Sequence, residues 1–430
     1  DKYFNLFSKT PINALLGTVP EPKICIGESA SGGRETFLAL LSLHSKTLSM
    51  TIETIDIYSL KIPFTTGIDH NLKRRKTSDS IVLAVRTTDG KIGYGEGTPR
   101  SYVTGETTRQ VVQDFLRVLG DGNRLRVNGL DDIRELSSWL NNYYTMPSMV
   151  TALEIALLDL LGQYEHCCLG DFFAPVKSNS PIYSGVLPFL PVEKRRKWLE
   201  LMKSLQLKAV KIKVGREDDV DTLTMAREIL GPQIDIRLDA NQAWSFQQAM
   251  VNMQRLEDFK VSSVEEPLSQ ADEEMLPELS EQIQTPILLD ESLRSLEHLV
   301  YFTQQISADK LLVNIKLSKV GGLFAAHEMH AFAAEQGIDC QLGCHVGESA
   351  ILSAAGRLFA QTHTLRHLEG SFAPYFMEDD IATAPIAFGA GGKANAIHGP
   401  GLGVSIDPEK LRRYGWLLHQ IELQPSSCIC

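Results

Sequence analysis

Val210-Lys211-Ile212-Lys213-Val214 is the stretch on which the reading of the whole chain turns. In an extended segment successive side chains point to opposite faces, so Lys211 and Lys213 share one face while Val210, Ile212 and Val214 share the other. The segment is one of eight short apolar runs, at 182–187, 209–214, 234–239, 261–265, 286–290, 311–316, 340–344 and 365–369. Amphipathic stretches at 193–206, 218–230, 246–258, 272–284, 293–305, 321–336 and 348–361 separate them. Eight strands alternating with helices predict a closed parallel β/α barrel. In such a barrel the valines and the isoleucine meet the surrounding helices, and both lysines face the interior.

Polar residues keep the same rhythm. Lys213, Asp239, Glu265, Asp290 and Lys316 are separated by 26, 26, 25 and 26 residues, each at or near the end of its apolar run. The C-terminal strand ends of a barrel open onto one face, where active sites of this fold lie, so five ionisable groups are predicted to converge on one mouth. Three carboxylates on consecutive strands would repel one another without a cation among them, and an all-oxygen set of this kind suits Mg²⁺. Glu266 and Glu291, each next to one of the three, support the site or are solvated. Lys213, on strand two, and Lys316, on strand six, stand on opposite walls. An amine acts as a base only when its pKa is lowered, and a nearby cation, Lys211 or a divalent metal, would do this. Two lysines facing each other across a metal suit removal of a proton α to a carboxylate on one face and its return on the other.

The runs Lys211-x-Lys213, Asp239-Ala240-Asn241, Glu265-Glu266-Pro267, Asp290-Glu291-Ser292 and Asn314-Ile315-Lys316-Leu317 resemble the enolase superfamily. More narrowly they resemble its muconate lactonizing enzyme subgroup, which contains muconate cycloisomerases and dipeptide epimerases. The resemblance spans residues 50 to 412, including Gly93-Tyr94-Gly95-Glu96 and Gly399-Pro400-Gly401-Leu402-Gly403. It implies a modified TIM-type barrel under an α+β capping domain, with catalytic Lys213, Lys316 and Lys211 and metal ligands Asp239, Glu265 and Asp290. It also implies Mg²⁺ as cofactor, with Mn²⁺ able to substitute, a small-molecule carboxylate substrate and a homo-oligomer. Residues expected at the substrate or supporting the ligands are Asn241, Glu266, Glu291, Asn314, His345, Glu348 and Glu369; Glu348 is expected to interact with Lys316.

Two cues to the substrate point different ways. His367-Leu368-Glu369-Gly370-Ser371 is similar to the muconate cycloisomerase region, and the Asp-x-Asp that dipeptide epimerases use for an ammonium group is absent from it. Val103-Thr104-Gly105-Glu106-Thr107 is similar instead to dipeptide epimerases and acylamino-acid racemases. The leading expectation is an Mg-dependent isomerase most like a muconate or chloromuconate cycloisomerase. The alternatives are a dipeptide epimerase or N-acylamino-acid racemase and, beyond these, a lyase resembling o-succinylbenzoate synthase or an acid dehydratase.

Composition agrees. Forty-two basic against 53 acidic side chains in 430 residues give a formal charge of −11, which argues against a dedicated binder of nucleic acid or of an anionic membrane, since both need a basic face. Seven cysteines, Cys25, Cys167, Cys168, Cys340, Cys344, Cys428 and Cys430, show no zinc spacing and read as free thiols of a reducing, cytoplasmic compartment. The run Lys73-Arg74-Arg75-Lys76 reads as a solvated basic stretch or as an attractor of an anionic substrate. Residues 1–49 show no period and are expected to be an extension, upstream read-in or vector-derived sequence outside the fold. Residues 50–178 are expected to form the capping domain, 179–385 the barrel, and 386–430 a segment returning to the cap. Within 50–178, strands are expected at 51–60, 80–88 and 91–97, with a turn at Thr88-Asp89-Gly90-Lys91, and helices at 106–119, 130–141 and 147–164.

Overall fold

Residues 49–69, 74–120 and 125–423 are described by a computed structural model. The expectation for residues 1–49 falls, except for Ser49, outside them, as do Cys25, Cys428 and Cys430. The first strands are β1 (Met50–Leu60), β2 (Pro63–Asp69), β3 (Arg74–Thr77), β4 (Ser80–Thr87), β5 (Ile92–Gly97) and the two-residue β6 (Arg126–Val127). β1, β4 and β5 form an antiparallel sheet in that order. The expected turn joins β4 to β5, with Gly90 at a φ of 87° where a side chain would strain the backbone. The β2–β3 hairpin was not anticipated: Pro63, Gly67 and a charged run hide its alternation.

Helices Thr108–Val118, Leu130–Tyr143 and Pro147–Glu165 follow, and the last is buried over most of its length. Gly93, Gly95 and Gly97 of β5 lie against it, where a Cβ would collide with the carbonyls of Ala156, Ala152 and Ser148. This close approach accounts for the alternating glycines. Between them Glu96 is fully buried and accepts hydrogen bonds from the amides of Ser349 and Leu352 at 3.0 and 3.1 Å, at the N-terminus of helix Ala350–Thr362. Glu154 similarly receives the amides of Leu323 and Phe324 at the start of helix Leu323–Glu335. Asp159 receives those of Tyr94 and Leu402, at 3.0 and 2.9 Å.

Eight parallel strands then run in chain order around a single curled sheet: β7 (Gly185–Leu187), β8 (Ala209–Lys213), β9 (Asp235–Asp239), β10 (Ser263–Glu265), β11 (Ile287–Leu289), β12 (Leu311–Ile315), β13 (Asp339–Leu342) and β14 (His367–Leu368). All lie inside the predicted runs except Asp339, one residue ahead of its own. Between the first and last strands the ladder shrinks to one residue: the Ser184 amide and hydroxyl both donate to the Leu368 carbonyl, at 2.8 and 3.1 Å. Helices lie between the strands within a few residues of their predicted places, except that 272–284 starts as a 3-10 turn and becomes α-helical only at Leu276. β15 (Gly415–Glu422) returns to pair antiparallel with β1, completing the sheet order β15-β1-β4-β5. No helix among the described residues is long and apolar enough to cross a membrane.

Candidate active site at the barrel mouth

The strand ladder sets the site. Lys213 pairs with Asp239, and Asp239 with Glu265, so three adjacent strands end level with one another. Asp290 directly follows β11, Lys316 follows β12 and Glu369 follows β14. Lys211, Lys213 and Lys316 are at most 9% exposed, Asp239 2%, and Glu265 and Asp290 fully buried. Burying so many charges is tolerable only where they are paired, and here they are. The Lys211 ammonium lies 2.8 Å from Glu369, 3.1 Å from Glu265 and 3.5 Å from Asp239. Lys213 lies 3.5 Å from Asp239 and donates to the Asn241 side-chain oxygen. Lys316 lies 2.5 Å from one oxygen of Asp290, and Lys319 2.9 Å from the other.

The supporting residues fall into place around these. Asn314 donates to Glu265 at 2.9 Å and Asn241 to Glu291 at 3.2 Å. Glu266 and Glu291 are buried, which removes the solvated reading of both. Glu266 accepts the amide of Asp290 at 2.8 Å and the amide and hydroxyl of Ser292 at 3.2 and 3.0 Å. His345 is buried, with Nδ1 2.6 Å from the Thr98 hydroxyl. Glu348 accepts the His345 amide at 2.5 Å and feels the charge of Lys316, though no ion pair joins the two among the described residues. The loop between β13 and the next helix curls back on itself and takes up that carboxylate locally.

The side chains of the site, taken by themselves, hold two of these lysines in the charged form. Burial opposes the charge on Lys316, but Asp290 and then Glu265 outweigh it and hold the ammonium well above the usual lysine range. Burial likewise opposes the charge on Lys211, and Glu265, Glu369 and Asp239 override it. Asp290, despite its burial, is held well below the usual carboxylate range by Lys316 and Lys319. For Glu265 burial wins, and its carboxyl is pushed up to about 8.

Two charged groups of this network, Lys319 and Arg237, escaped notice in the sequence. Lys319 sits on the short helix Leu317–Val320, three residues past Lys316, and also donates to the carbonyls of Asp290 and Asn314 at 2.7 and 2.9 Å. Arg237, two residues below Asp239 on β9, is fully buried, 3.0 Å from Glu369, and bonded to Gln341. The Asp235-x-Arg237-x-Asp239 alternation was the available signal for Arg237.

Among the described residues no three acidic, histidine or cysteine side chains are drawn together as a coordination shell; each carboxylate is turned towards a lysine. The donor set is nonetheless that of a hard divalent cation: carboxylates only, buried, at the ends of three adjacent strands. Buried oxygens Oε2 of Glu291 and Oδ1 of Asn314 also lack a hydrogen-bond partner. The residues fit such an ion.

Lys211, Lys213, Lys316 and Asp239 line a cavity of about 520 Å³. Its walls are largely apolar, with Tyr102, Val103, Leu190, Trp198, Phe372 and Phe376 among them. Val103, from the Val-Thr-Gly-Glu-Thr run, therefore reaches the cavity, while Glu106 of that run is buried and binds the Ser148 amide at 3.0 Å. Of the basic run, Lys73 and the side chain of Arg74 lie outside the described residues. Arg75 is buried, not solvated, with its guanidinium 5.6 Å from the centre of the Tyr102 ring.

An eight-stranded parallel barrel with lysines on its second and sixth strands and carboxylates ending the three between is the arrangement anticipated for the enolase superfamily. The chain belongs to that superfamily: residues 194–410 match the family described as enolase C-terminal domain-like. Over 373 residues it is 29% identical to a hydrophobic dipeptide epimerase of Enterococcus faecalis, covering 83% of this chain and all of that protein. It is 27% identical to an N-succinyl-L-Arg/Lys racemase of Bacillus cereus, over 71% of this chain and 83% of the racemase. A chloromuconate cycloisomerase of Pseudomonas putida is 26% identical over 85% of this chain and 99% of its own length. The crystal structure of the Enterococcus faecalis V583 dipeptide epimerase, complexed with Mg and the dipeptide L-Leu-L-Tyr, superposes with a TM-score of 0.73 at 26% identity, over 83% of this chain and all of that one. The chain is thus an isomerase of the enolase superfamily.

Proposed function

We propose that the protein racemises or epimerises an N-substituted amino acid by moving the proton on the carbon α to its carboxylate. The observation that carries this reading is the placement of Lys213 and Lys316, four strands apart in an eight-stranded barrel and both lining one cavity. A substrate between them presents one face of its α carbon to each. One lysine, as the free amine, takes the proton; the other, as the ammonium, delivers one to the opposite face. For Lys316 to act as the base it must leave Asp290, and Lys319 stays on the second oxygen of that carboxylate to keep it compensated. Lys211 performs the same service for Glu265 and Asp239, while Asn241 steadies Lys213.

Asp239, Glu265 and Asp290 would hold Mg²⁺. When bound, the ion would supply positive charge against the substrate carboxylate as the α carbon loses its proton. His345 and Glu369 line the cavity beside the lysines and would limit where the substrate can sit. The cycloisomerase reading recedes for two reasons: the relatives with the higher identities are named as epimerases and racemases, and the cavity is roomy for a compact six-carbon diacid.

Proton NMR in D₂O with added Mg²⁺ tests the reading across N-acylamino acids, dipeptides and muconates. Deuterium should enter at the α carbon of an amino-acid derivative, with inversion. Consumption of muconate, or loss of water from a hydroxy acid, without any α exchange in the amino-acid derivatives would overturn it.

A further inference from the structure

The loop that follows β13 is held by three side chains from β5 and just beyond it. Glu96 receives the Ser349 amide at 3.0 Å, and the fully buried Arg100 donates to the Val346 carbonyl at 3.0 Å. Between them Thr98 meets His345, with 2.6 Å from its hydroxyl oxygen to Nδ1. Glu348 holds the His345 amide from within the loop, so backbone and ring are both fixed. His345 is 5% exposed and lines the cavity, and among the described residues nothing takes up its Nε2. A buried ring nitrogen without a partner is costly to keep, which points to a partner that arrives with a ligand.

Counting donors shows which nitrogen carries the ring proton. Burial, and then the charges of Lys316 and Arg100, keep the imidazole neutral. A neutral ring has one N–H and one bare nitrogen. Thr98 is fully buried, and among the described residues its hydroxyl has no partner but His345. With the proton on Nδ1, the hydroxyl would accept from the ring and its own proton would find no acceptor. With the hydroxyl donating to a bare Nδ1, both groups are satisfied and the N–H stands at Nε2.

β13 pairs with β12, the strand that Lys316 follows, whereas the carboxylates proposed to hold Mg²⁺ end β9, β10 and β11 on the other side of Lys316. A substrate whose carboxylate lies towards those strands turns its remaining substituents towards the loop of His345. On an N-substituted amino acid the acceptor nearest the α carbon on that side is the amide oxygen, which acyl derivatives and dipeptides share. We infer that His345 donates a hydrogen bond from Nε2 to the amide oxygen of the substrate, and that Thr98 is the positioning residue that sets the ring for it. This rests on the proton-transfer reading above and adds the contact that orients the α carbon between the two lysines.

One measurement needs no substrate. In ¹⁵N-histidine NMR, with the His345 signals identified by their loss in H345Q, the ring should be the Nε2–H tautomer in the unaltered protein and in T98S. A proton on Nδ1 would overturn the inference. The other is α-proton exchange with added Mg²⁺ on N-acetyl-L-phenylalanine and L-Ala-L-Phe, each against its thioamide, a weaker acceptor. H345F should lower kcat/KM for the oxygen compounds by about threefold to tenfold, the scale of one neutral hydrogen bond, with the change carried by KM. It should also shrink the preference for oxygen over sulfur. H345Q keeps a donor at the same reach, so it should recover most of the loss and keep the shape of the pH profile; loss of a limb would make His345 a proton carrier and overturn the inference. T98V should resemble H345F, T98S should not, and T98V should add nothing in the H345F background. An oxygen preference that survives H345F, or a T98V effect that persists in that background, would overturn the inference while leaving proton transfer standing. Exchange in neither compound would defeat the proton-transfer reading and the contact together.

Discussion

Two sets of buried carboxylates in this molecule look alike in the sequence and behave oppositely in the structure. Glu96, Glu154 and Asp159 lie along the long helix and sheet beside the barrel, and all three receive backbone amides, two of them at the starts of helices. No lysine or arginine pairs with them among the described residues. Burial pushes Glu154 up to about 7 and Asp159 up to about 6. Asp239, Glu265 and Asp290 are equally buried but crowd together with lysines at every side. The first set joins elements, and a proton on a member of it changes little but stability. The second set keeps charge inside the protein, an arrangement that costs stability unless chemistry requires it.

The largest expected effect that could break this contrast lies at the lysines. Lys213→Ala or Lys316→Ala should lower the rate of inversion by about 10²–10⁴-fold or more, with Mg²⁺ binding by calorimetry retained. Full inversion in either variant would remove it from the pair. Next comes Asp239→Asn, which should weaken Mg²⁺ by about tenfold or more in the same calorimeter; unchanged affinity would take Asp239 out of the ligand set. Glu154→Gln should leave Mg²⁺ binding alone and act on stability. The folded pKa of Glu154 is raised by burial, against hydrogen bonds from Ser137, Leu323 and Phe324. Its stabilising contribution is therefore complete below the ordinary carboxyl pKa and is lost as pH rises through about 7. Thermal melts of the unaltered protein should fall across that window, by ~1–3 kcal/mol from this group, and Glu154→Gln should flatten the fall. An unchanged slope would mean that Glu154 is not the group that titrates there.

The barrel was legible because parallel strands buried on both faces read as apolar runs, and a polar residue at a constant interval marks where each run meets the mouth. That is why Lys213, Asp239, Glu265, Asp290 and Lys316 could be named before any coordinates. Lys319 could not, because it enters the site from a short helix whose direction no periodicity fixes. Lys194 and Lys197, which line the cavity, were hidden differently: a charged stripe on an amphipathic helix looks solvated until something is found beneath it. Arg75 shows the same effect, a member of a basic run that turns inward towards a tyrosine. Glu348 lies on a loop that folds on itself, so its carboxylate also takes up the amide of His345 three residues earlier.

β1 has one further consequence, for the order in which the chain is made. Apart from a two-residue pairing of its first residues with β6, its neighbours are β4, some twenty residues later, and β15, whose pairing runs from Thr54 with Glu422 to Leu60 with Gly415. During synthesis one side of β1 can be covered early, but the other stays an open edge until the ribosome has passed the whole barrel. An exposed β edge is a template for wrong partners. The nascent chain thus carries its aggregation hazard longest at the strand that begins the sheet, until β15 pairs with it.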